Sequence, residues 1–128
     1  ARSAAGVVYC PRTHLYFRHE PHRWRTMLAE GINVAVGTDS CASSPDLNIV
    51  DDLRLLRRLY DTPAADLWPL ATINAARMLG LADQVGSLAP GKRADLAVFP
   101  VRTDSPLEEV LDGDVLPSQV WIDGQRVS

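Results

Sequence analysis

Two short apolar runs near the start of the chain predict buried β-strands. GVVYC covers residues 6–10 and NVAVGT covers residues 33–38. Both runs are apolar at successive positions, which is typical of strands in a parallel sheet that is covered on both faces. Parallel strands need a crossover connection, and residues 6–38 have the length of a strand–helix–strand unit. This part of the chain therefore predicts an α/β fold.

Helices are predicted between and after these strands. The crossover helix is expected from Pro21 to Gly31, because proline suits a first turn and glycine suits a C-terminal stop. Residues 11–20 have no clean hydrophobic period and are interpreted as a loop. Further helices are predicted over residues 45–60 with Ser44 as N-cap, over residues 63–67 before an interruption at Pro69, and over residues 73–80 with Thr72 as N-cap.

The last third of the chain has the pattern of a β structure. After a Pro90-Gly91 turn, residues 96–99 predict a strand. Residues 118–128, SQVWIDGQRVS, predict two strands joined by an Asp-Gly turn, which is a strong hairpin signal. We therefore expect one α/β portion over residues 1–82 and a separate group of β-strands over residues 83–128.

Composition and charge exclude several classes of partner. Hydrophobic residues make up 46% of the 128 residues, charged residues make up 23%, and the formal net charge is −3. This acidic balance gives no reason to expect nucleic acid or an anionic membrane as a partner. No apolar run approaches the roughly 18 residues that a membrane span needs, so a cytoplasmic protein is expected.

A cluster of arginines and a pair of cysteines could have functional roles, but their patterns favour structural ones. Arg54, Arg57 and Arg58 share a predicted helix with Asp51 and Asp52, which indicates a solvated charged face. The two cysteines, at positions 10 and 41, lack the spacing of a zinc site and are expected to be small buried thiols at strand ends.

Asp39 is the sharpest candidate for chemistry. It stands where the second apolar run ends, and ligands of parallel α/β proteins are handled at the carboxyl ends of strands. A carboxylate there can serve as a metal ligand or a general base. The alternative is that Asp39 caps the following turn or helix. Asp46 is interpreted as an acidic residue in the first turn of that helix.

Three further residues are candidates for substrate contact. His14 is favoured over His19 and His22 because it is nearest to the end of the first strand. Arg12 could bind an anionic or carbonyl-bearing substrate, or could equally pair with an acidic side chain. Ser40 adjoins Asp39 but lacks the GxSxG context of a nucleophilic serine. Because adjacent parallel strands end at one edge, both polar segments are expected to lie side by side.

Four blocks in order give the chain a family resemblance. VVYCPRTHLYF, GINVAVGTDS, ATINAARMLGL and VGSLAPGKRADLAVF resemble the C-terminal end of the metal-dependent amidohydrolase superfamily. The resemblance is to the branch of chlorohydrolases and aminohydrolases that act on triazines, cytosine, guanine and adenosine-like compounds. It covers nearly the whole chain.

The resemblance implies a fold and a mechanism. The fold would be a (β/α)8 barrel with a small composite β-sandwich, and residues 6–10 and 33–38 would be barrel strands seven and eight. Asp39 would bind a catalytic divalent metal, zinc or sometimes iron. It would also take the proton of the attacking water and pass it to the leaving group of a small nitrogen-containing substrate. A homo-oligomer is left open.

The other metal ligands of the family, an HxH pair and two further histidines, have no counterpart in this sequence. We therefore expect the chain to be the C-terminal third of an enzyme and to be inactive alone. The competing hypothesis is a non-catalytic α/β module, or a degenerate homologue, that needs a partner chain. A hydrolase with Ser40 or Cys41 as nucleophile is a third, weaker hypothesis.

Overall fold

The computed structural model describes residues 6–128. This part of the chain contains two separate sheets, one parallel and one antiparallel, and six helices. The elements are β1 (Val7–Tyr9), α1 (Pro11–Tyr16), α2 (Trp24–Ala29), β2 (Val34–Val36), α3 (Ile49–Tyr60), α4 (Ala64–Ala71), α5 (Ile73–Met78), β3 (Leu96–Val98), α6 (Pro106–Asp112), β4 (Gln119–Ile122) and β5 (Gln125–Arg126).

The predicted parallel pair is confirmed. β1 and β2 run parallel, with Val7 opposite Val34 and Tyr9 opposite Val36. All three residues of β2 are buried, because α2, α3, α4 and α5 pack against that strand. The expectation that both strands are covered on both faces is wrong for β1, where Val8 is 55% exposed. The helices cover β2, and β1 lies at its edge.

The predicted loop over residues 11–20 is wrong, because this segment begins with α1. Pro11 occupies the first helical position, where a missing N–H costs nothing and the fixed φ is already helical. The amide of His14 donates to the carbonyl of Cys10 at 2.9 Å, and the amide of Phe17 donates to the carbonyl of Thr13 at 3.1 Å. The next helix, α2, begins at Trp24 and not at Pro21.

The start of α3 is also displaced from its prediction. The helix begins at Ile49, and the side chain of Asn48 caps it by accepting a hydrogen bond from the amide of Val50 at 3.2 Å. Ser44 is not the N-cap; its hydroxyl donates to the carbonyl of Thr38 at 2.7 Å. Asp46 therefore lies before the helix. Residues 40–48 form a loop that carries β2 into α3.

Two predictions about α4 and α5 need correction. Pro69 does not interrupt α4, which continues to Ala71. The residue four positions earlier, Ala65, is exposed, so solvent can satisfy the carbonyl that Pro69 leaves without a donor. Thr72 precedes α5, but its hydroxyl donates to the carbonyl of Trp68 at 2.8 Å and does not cap the helix.

The second sheet contains the predicted hairpin. β3, β4 and β5 form an antiparallel sheet in that order, and the turn between β4 and β5 is Asp123-Gly124. Both turn residues have positive φ, 52° and 76°, as a two-residue turn of type I′ requires. α6 was not predicted, because seven residues carry too little periodicity; it packs against α3 and α4.

The expected solvated face on α3 is wrong for two of its charged residues. Asp52 is fully buried and Arg54 is only 3% exposed, whereas Arg58 is exposed. The guanidinium of Arg54 donates to the carbonyls of Val110 and Val115, which ties α3 to the α6 region. The hydrophobic core around this face comprises Tyr9, Trp24, Val34, Val36, Leu53, Leu56, Ala64, Leu67, Leu70 and Leu111.

Neither cysteine is the fully buried thiol that the sequence indicates. Cys10 is half-buried and Cys41 is exposed, and both are free. Across residues 6–128, no helix combines the length and the apolar character that crossing a membrane requires.

Candidate active site at the ends of β1 and β2

The polar segments that follow β1 and β2 lie side by side. The amide of Gly37, just past β2, donates to the carbonyl of Tyr9 at 2.9 Å. Farther out, the hydroxyls of Thr13 and Ser43 are 2.8 Å apart. The two segments therefore meet at one edge of the sheet, as parallel strands predict.

Asp39 lies at this edge, three residues after β2. Its side chain is exposed, and its φ of 59° places it in the left-handed region, which aspartate tolerates better than most residues. Oδ2 of its carboxylate accepts a hydrogen bond from the Ser43 hydroxyl at 3.3 Å. Asp39 does not cap α3, because Asn48 does. The carboxylate points away from the core and is available for chemistry.

The loop after Asp39 is held by hydrogen bonds from small residues. The amides of Ser43 and Ser44 both donate to the carbonyl of Ser40, at 3.1 and 3.0 Å. The exposed hydroxyl of Ser40 accepts from the amide of Ala42 at 3.4 Å. Gly37 precedes the loop because a Cβ there would lie 3.0 Å from Cγ1 of Val8. Small side chains thus let the two strand ends approach closely.

His14 and His22 form a group of rings with Tyr9. His22 stacks on Tyr9 with ring centroids 4.3 Å apart, and His14 meets Tyr9 edge-on at 5.4 Å. Burial, together with the proximity of His14, lowers the pKa of His22, whose Nδ1 is buried without a partner among the described residues. Burial, followed by the effect of Tyr60, raises the pKa of Tyr9. Both shifts favour the uncharged forms of His22 and Tyr9.

His14 has one nitrogen engaged and one left over. Its Nε2 lies 2.7 Å from the carbonyl oxygen of Glu20, and a carbonyl only accepts hydrogen bonds. Nε2 therefore carries a proton and donates it to this carbonyl, which leaves Nδ1 as the other polar atom of the ring. The sequence placed His14 near the strand end, and its fixed orientation comes from the chain returning at Glu20.

Arg12 donates hydrogen bonds to the carboxylates of Asp52 and Asp46. Its backbone amide and Nε donate to the two oxygens of Asp52 at 3.0 and 2.9 Å, and its terminal nitrogens reach Asp46 and the carbonyl of Asn48. Burial raises the pKa of Asp52 although Arg12 opposes this shift, whereas Arg12 lowers the pKa of the exposed Asp46. These contacts match the pairing alternative for Arg12; a substrate contact stays a prediction.

The donor set at the strand ends fits one metal ligand. Within residues 6–128, no group of three His, Cys, Asp or Glu side chains could hold a metal ion. Asp39 is the carboxylate nearest the end of β2, its oxygens retain lone pairs beyond the Ser43 contact, and carboxylate oxygen is a zinc ligand. The chain can therefore contribute Asp39 to a metal centre but cannot complete that centre with its described residues.

The thiol and hydroxyl groups near Asp39 are poorly placed as nucleophiles. Burial and the neighbouring charge of Asp39 raise the pKa of Cys10, which keeps its thiol protonated. Within the described part of the chain, the Ser40 hydroxyl contacts a backbone amide and no general base. The geometry thus favours the carboxylate as the reactive group.

Comparison with known proteins finds similar sequences and structures among amidohydrolases and deaminases. The amidohydrolase family matches residues 1–127. The 5-methylthioadenosine/S-adenosylhomocysteine deaminase of Teredinibacter turnerae is 32% identical over 143 residues, covering 99% of this chain and 32% of the relative. This chain spans about a third of the length of such relatives.

Solved structures share the fold of the chain. An adenosine deaminase from Xanthomonas campestris, solved with bound zinc, superposes with a TM-score of 0.81 at 29% identity over 94% of this chain and 31% of its own. An atrazine chlorohydrolase from Arthrobacter aurescens TC1, in complex with zinc, gives a TM-score of 0.81 at 26% identity over 95% of this chain and 31% of its own.

Proposed function

The chain belongs to the amidohydrolase family, and we propose that it supplies the Asp39 carboxylate to the active site of a metal-dependent hydrolase that acts on carbon–nitrogen bonds other than peptide bonds. The remaining ligands come from outside residues 6–128, where no group of three metal-binding side chains occurs. The relatives are about three times as long as this chain, which leaves ample sequence for those ligands.

The architecture of this hydrolase is a (β/α)8 barrel to which residues 1–82 contribute the last part. β1 and β2 act as strands seven and eight, supported by their parallel pairing and by the helices that cover β2. Residues 83–128 contribute β3, β4 and β5 to a small β-sandwich, supported by their separate antiparallel sheet. Active sites of such barrels lie at the carboxyl ends of the strands, where Asp39 is.

The metal is a divalent cation, with zinc preferred over iron because related structures were solved with zinc. When bound, such a metal lowers the pKa of a water molecule to near 7. Asp39 holds the metal through a carboxylate oxygen. The same carboxylate accepts the proton of the attacking water and delivers it to the leaving group, since an exposed strand-end carboxylate can do both.

The substrate is a small N-heterocyclic compound that is deaminated or dechlorinated. Support comes from the relatives, which are named as deaminases of adenosine-like compounds and as an atrazine chlorohydrolase. His14 offers its second ring nitrogen, Nδ1, beside the strand ends, and Ser40 offers an exposed hydroxyl next to Asp39. Arg12 would contact the substrate from the open recess of about 500 Å³ that it lines with Ser43 and Asp46. We place the protein in the cytoplasm.

One observation carries this proposal: an exposed carboxylate in the left-handed conformation at the end of a buried parallel strand, beside the segment that follows the neighbouring strand. The test uses the complete protein that contains this chain. Release of ammonia or chloride from adenosine-like, guanine-like and triazine compounds is measured before and after chelation, and again after zinc is restored.

The matched variants are Asp39→Asn and Asp61→Asn. Both aspartates are exposed and have positive φ, 59° and 46°, so the backbone cost is similar. Asp39→Asn is expected to lower kcat by at least about 100-fold, the range of a lost general base, whereas Asp61→Asn should stay within twofold. Full activity in Asp39→Asn, or activity insensitive to chelation, would contradict the proposal.

A further inference from the structure

We infer that Ser43 is a positioning residue for Asp39 and that Thr13 acts through Ser43, so that a chain of two hydroxyls runs from α1 to the carboxylate. This inference rests on the proposed function, because it assigns a purpose to the contacts of the proposed metal ligand. It concerns residues on two different segments, which the fold brings together after β1 and β2.

The contacts form a continuous path. The hydroxyl of Thr13 lies 2.8 Å from the hydroxyl of Ser43, which lies 3.3 Å from Oδ2 of Asp39. Ser43 is only 8% exposed, although it has a polar side chain and belongs to a surface loop. The path therefore begins on a helix, passes through a buried hydroxyl and ends on an exposed carboxylate.

The direction of hydrogen-bond donation along the path follows from the single hydrogen that each hydroxyl carries. Each hydroxyl has one hydrogen, and an ionised carboxylate only accepts. If Ser43 donates to Asp39, its oxygen is free to accept from Thr13. The alternative acceptors, the carbonyl of Ser40 for Ser43 and the carbonyl of Thr38 for Thr13, are both at 3.5 Å, the weak limit of hydrogen bonding. Both hydroxyls are thus best used when they point toward Asp39.

The start of the path is held rigidly. Thr13 follows Arg12, whose amide and Nε both bind the buried carboxylate of Asp52 on α3. The end of the path needs this support, because Asp39 is exposed and its side chain can otherwise rotate. Hydrogen bonds to a ligating carboxylate fix its orientation, and losing one typically costs 10–100-fold in metal affinity or activity. The hydroxyls let a rigid helix set the orientation of a mobile side chain.

The test uses zinc-loaded complete protein and two readouts, the zinc dissociation constant from chelator competition and the separate values of kcat and KM. Ser43→Ala is expected to weaken zinc binding by about tenfold and to lower kcat with little change in KM. Thr13→Val keeps the shape of the side chain and removes the hydroxyl, so we expect a smaller loss of about threefold. Thr13→Ser restores the hydroxyl and should restore both values.

Two comparisons separate positioning from general destabilisation. Ser44→Ala removes a neighbouring buried hydroxyl that bonds the carbonyl of Thr38 and not Asp39. It should lower Tm while leaving the zinc dissociation constant within twofold. Adding Thr13→Val to Ser43→Ala should have no further effect on zinc binding, because Thr13 acts through Ser43.

The inference is overturned if Ser43→Ala binds zinc and turns over substrate like the parent protein. It is also overturned if Ser44→Ala loses as much zinc affinity as Ser43→Ala, or if the Thr13 and Ser43 effects simply add. Asp39→Asn distinguishes this failure from that of the proposed function. A severe loss in Asp39→Asn with a normal Ser43→Ala rejects only the positioning role, whereas a normal Asp39→Asn rejects the function itself.

Discussion

Asp39 combines two properties that seldom occur together: an exposed carboxylate and a fixed surrounding loop. Its left-handed φ turns the chain sharply at the end of β2, and Ser43 returns from the loop to bond its carboxylate. The backbone strain of such a position is tolerated when neighbouring contacts determine it. The residue is thereby held at the strand end with its carboxylate exposed.

His22 makes a prediction about pH. Burial, with His14 nearby, lowers its folded pKa below the usual value of 6.5, so the unfolded chain binds a proton more readily than the folded chain. Stability is then lost as the pH falls through 6.5 toward the folded pKa. His22→Phe keeps a ring against Tyr9 but cannot titrate, so its Tm should fall less than that of the parent between pH 7 and pH 5.

Thermal unfolding of both proteins at the same series of pH values checks this prediction. An equal pH dependence of Tm in the parent and in His22→Phe would show that His22 is not the group responsible.

The sequence predicts where a residue lies along a strand better than it predicts which side chains that residue contacts. The pattern places Asp39 at a strand end and His14 close to another, because strand ends can be read from apolar runs. The contacts of Ser43 with Thr13, and of Arg12 with Asp52, join residues 30 and 40 positions apart. Such pairs follow from tertiary packing, which a single sequence does not contain.

At the level of elements, the helix α3 is the main support of the site. On one side of α3, Asp52 accepts a hydrogen bond from Arg12. On the other side, Arg54 donates to a carbonyl of α6. Arg54 is buried, and its guanidinium donates to two carbonyls in the α6 region and to Asp51 at 2.8 Å. A charged side chain thus adds hydrogen bonds between two helices whose apolar residues Leu53, Leu56 and Leu111 belong to the same core cluster.

Replacing Arg54 with Met should therefore destabilise the protein. The change keeps an apolar stem but leaves the buried carbonyl of Val110 and the partly buried carbonyl of Val115 without the donors that Arg54 supplies, and we expect a loss of about 3 kcal/mol in the free energy of unfolding. Arg58→Met on the same helix removes an exposed arginine and should cost less than about 0.5 kcal/mol. Urea denaturation measures both. Equal losses in the two variants would contradict the assigned role of Arg54.

The sequence predicts the elements that have a regular hydrophobic pattern. It misses α1 and misplaces the start of α3, where the pattern is absent or misleading. β1, β2 and the hairpin of β4 and β5 follow from apolar runs and an Asp-Gly turn. α1 is missed because its apolar side chains, Leu15 and Tyr16, are exposed and give no amphipathic period. The start of α3 is misplaced because Ser44, Pro45 and Asp46 imitate a helix cap while they serve the loop around Asp39.

At the level of the whole molecule, the proposed function makes the chain a support for one side of an active site. β1 pairs with β2. Val8 in the middle of β1 is 55% exposed. The chain spans about a third of the length of its relatives, and a barrel closes only with its full set of strands. The proposed centre, with Asp39 as a ligand, would take its other ligands from residues beyond those described.

The most direct test is a crystal structure of the complete zinc-loaded protein, with the zinc located by anomalous scattering. We expect a carboxylate oxygen of Asp39 at about 2.0–2.2 Å from the zinc, with histidines from outside residues 6–128 as its other ligands. The Ser43 hydroxyl should still bond the same carboxylate. A fully ligated zinc with Asp39 beyond coordination distance would contradict the assignment of Asp39 as a metal ligand.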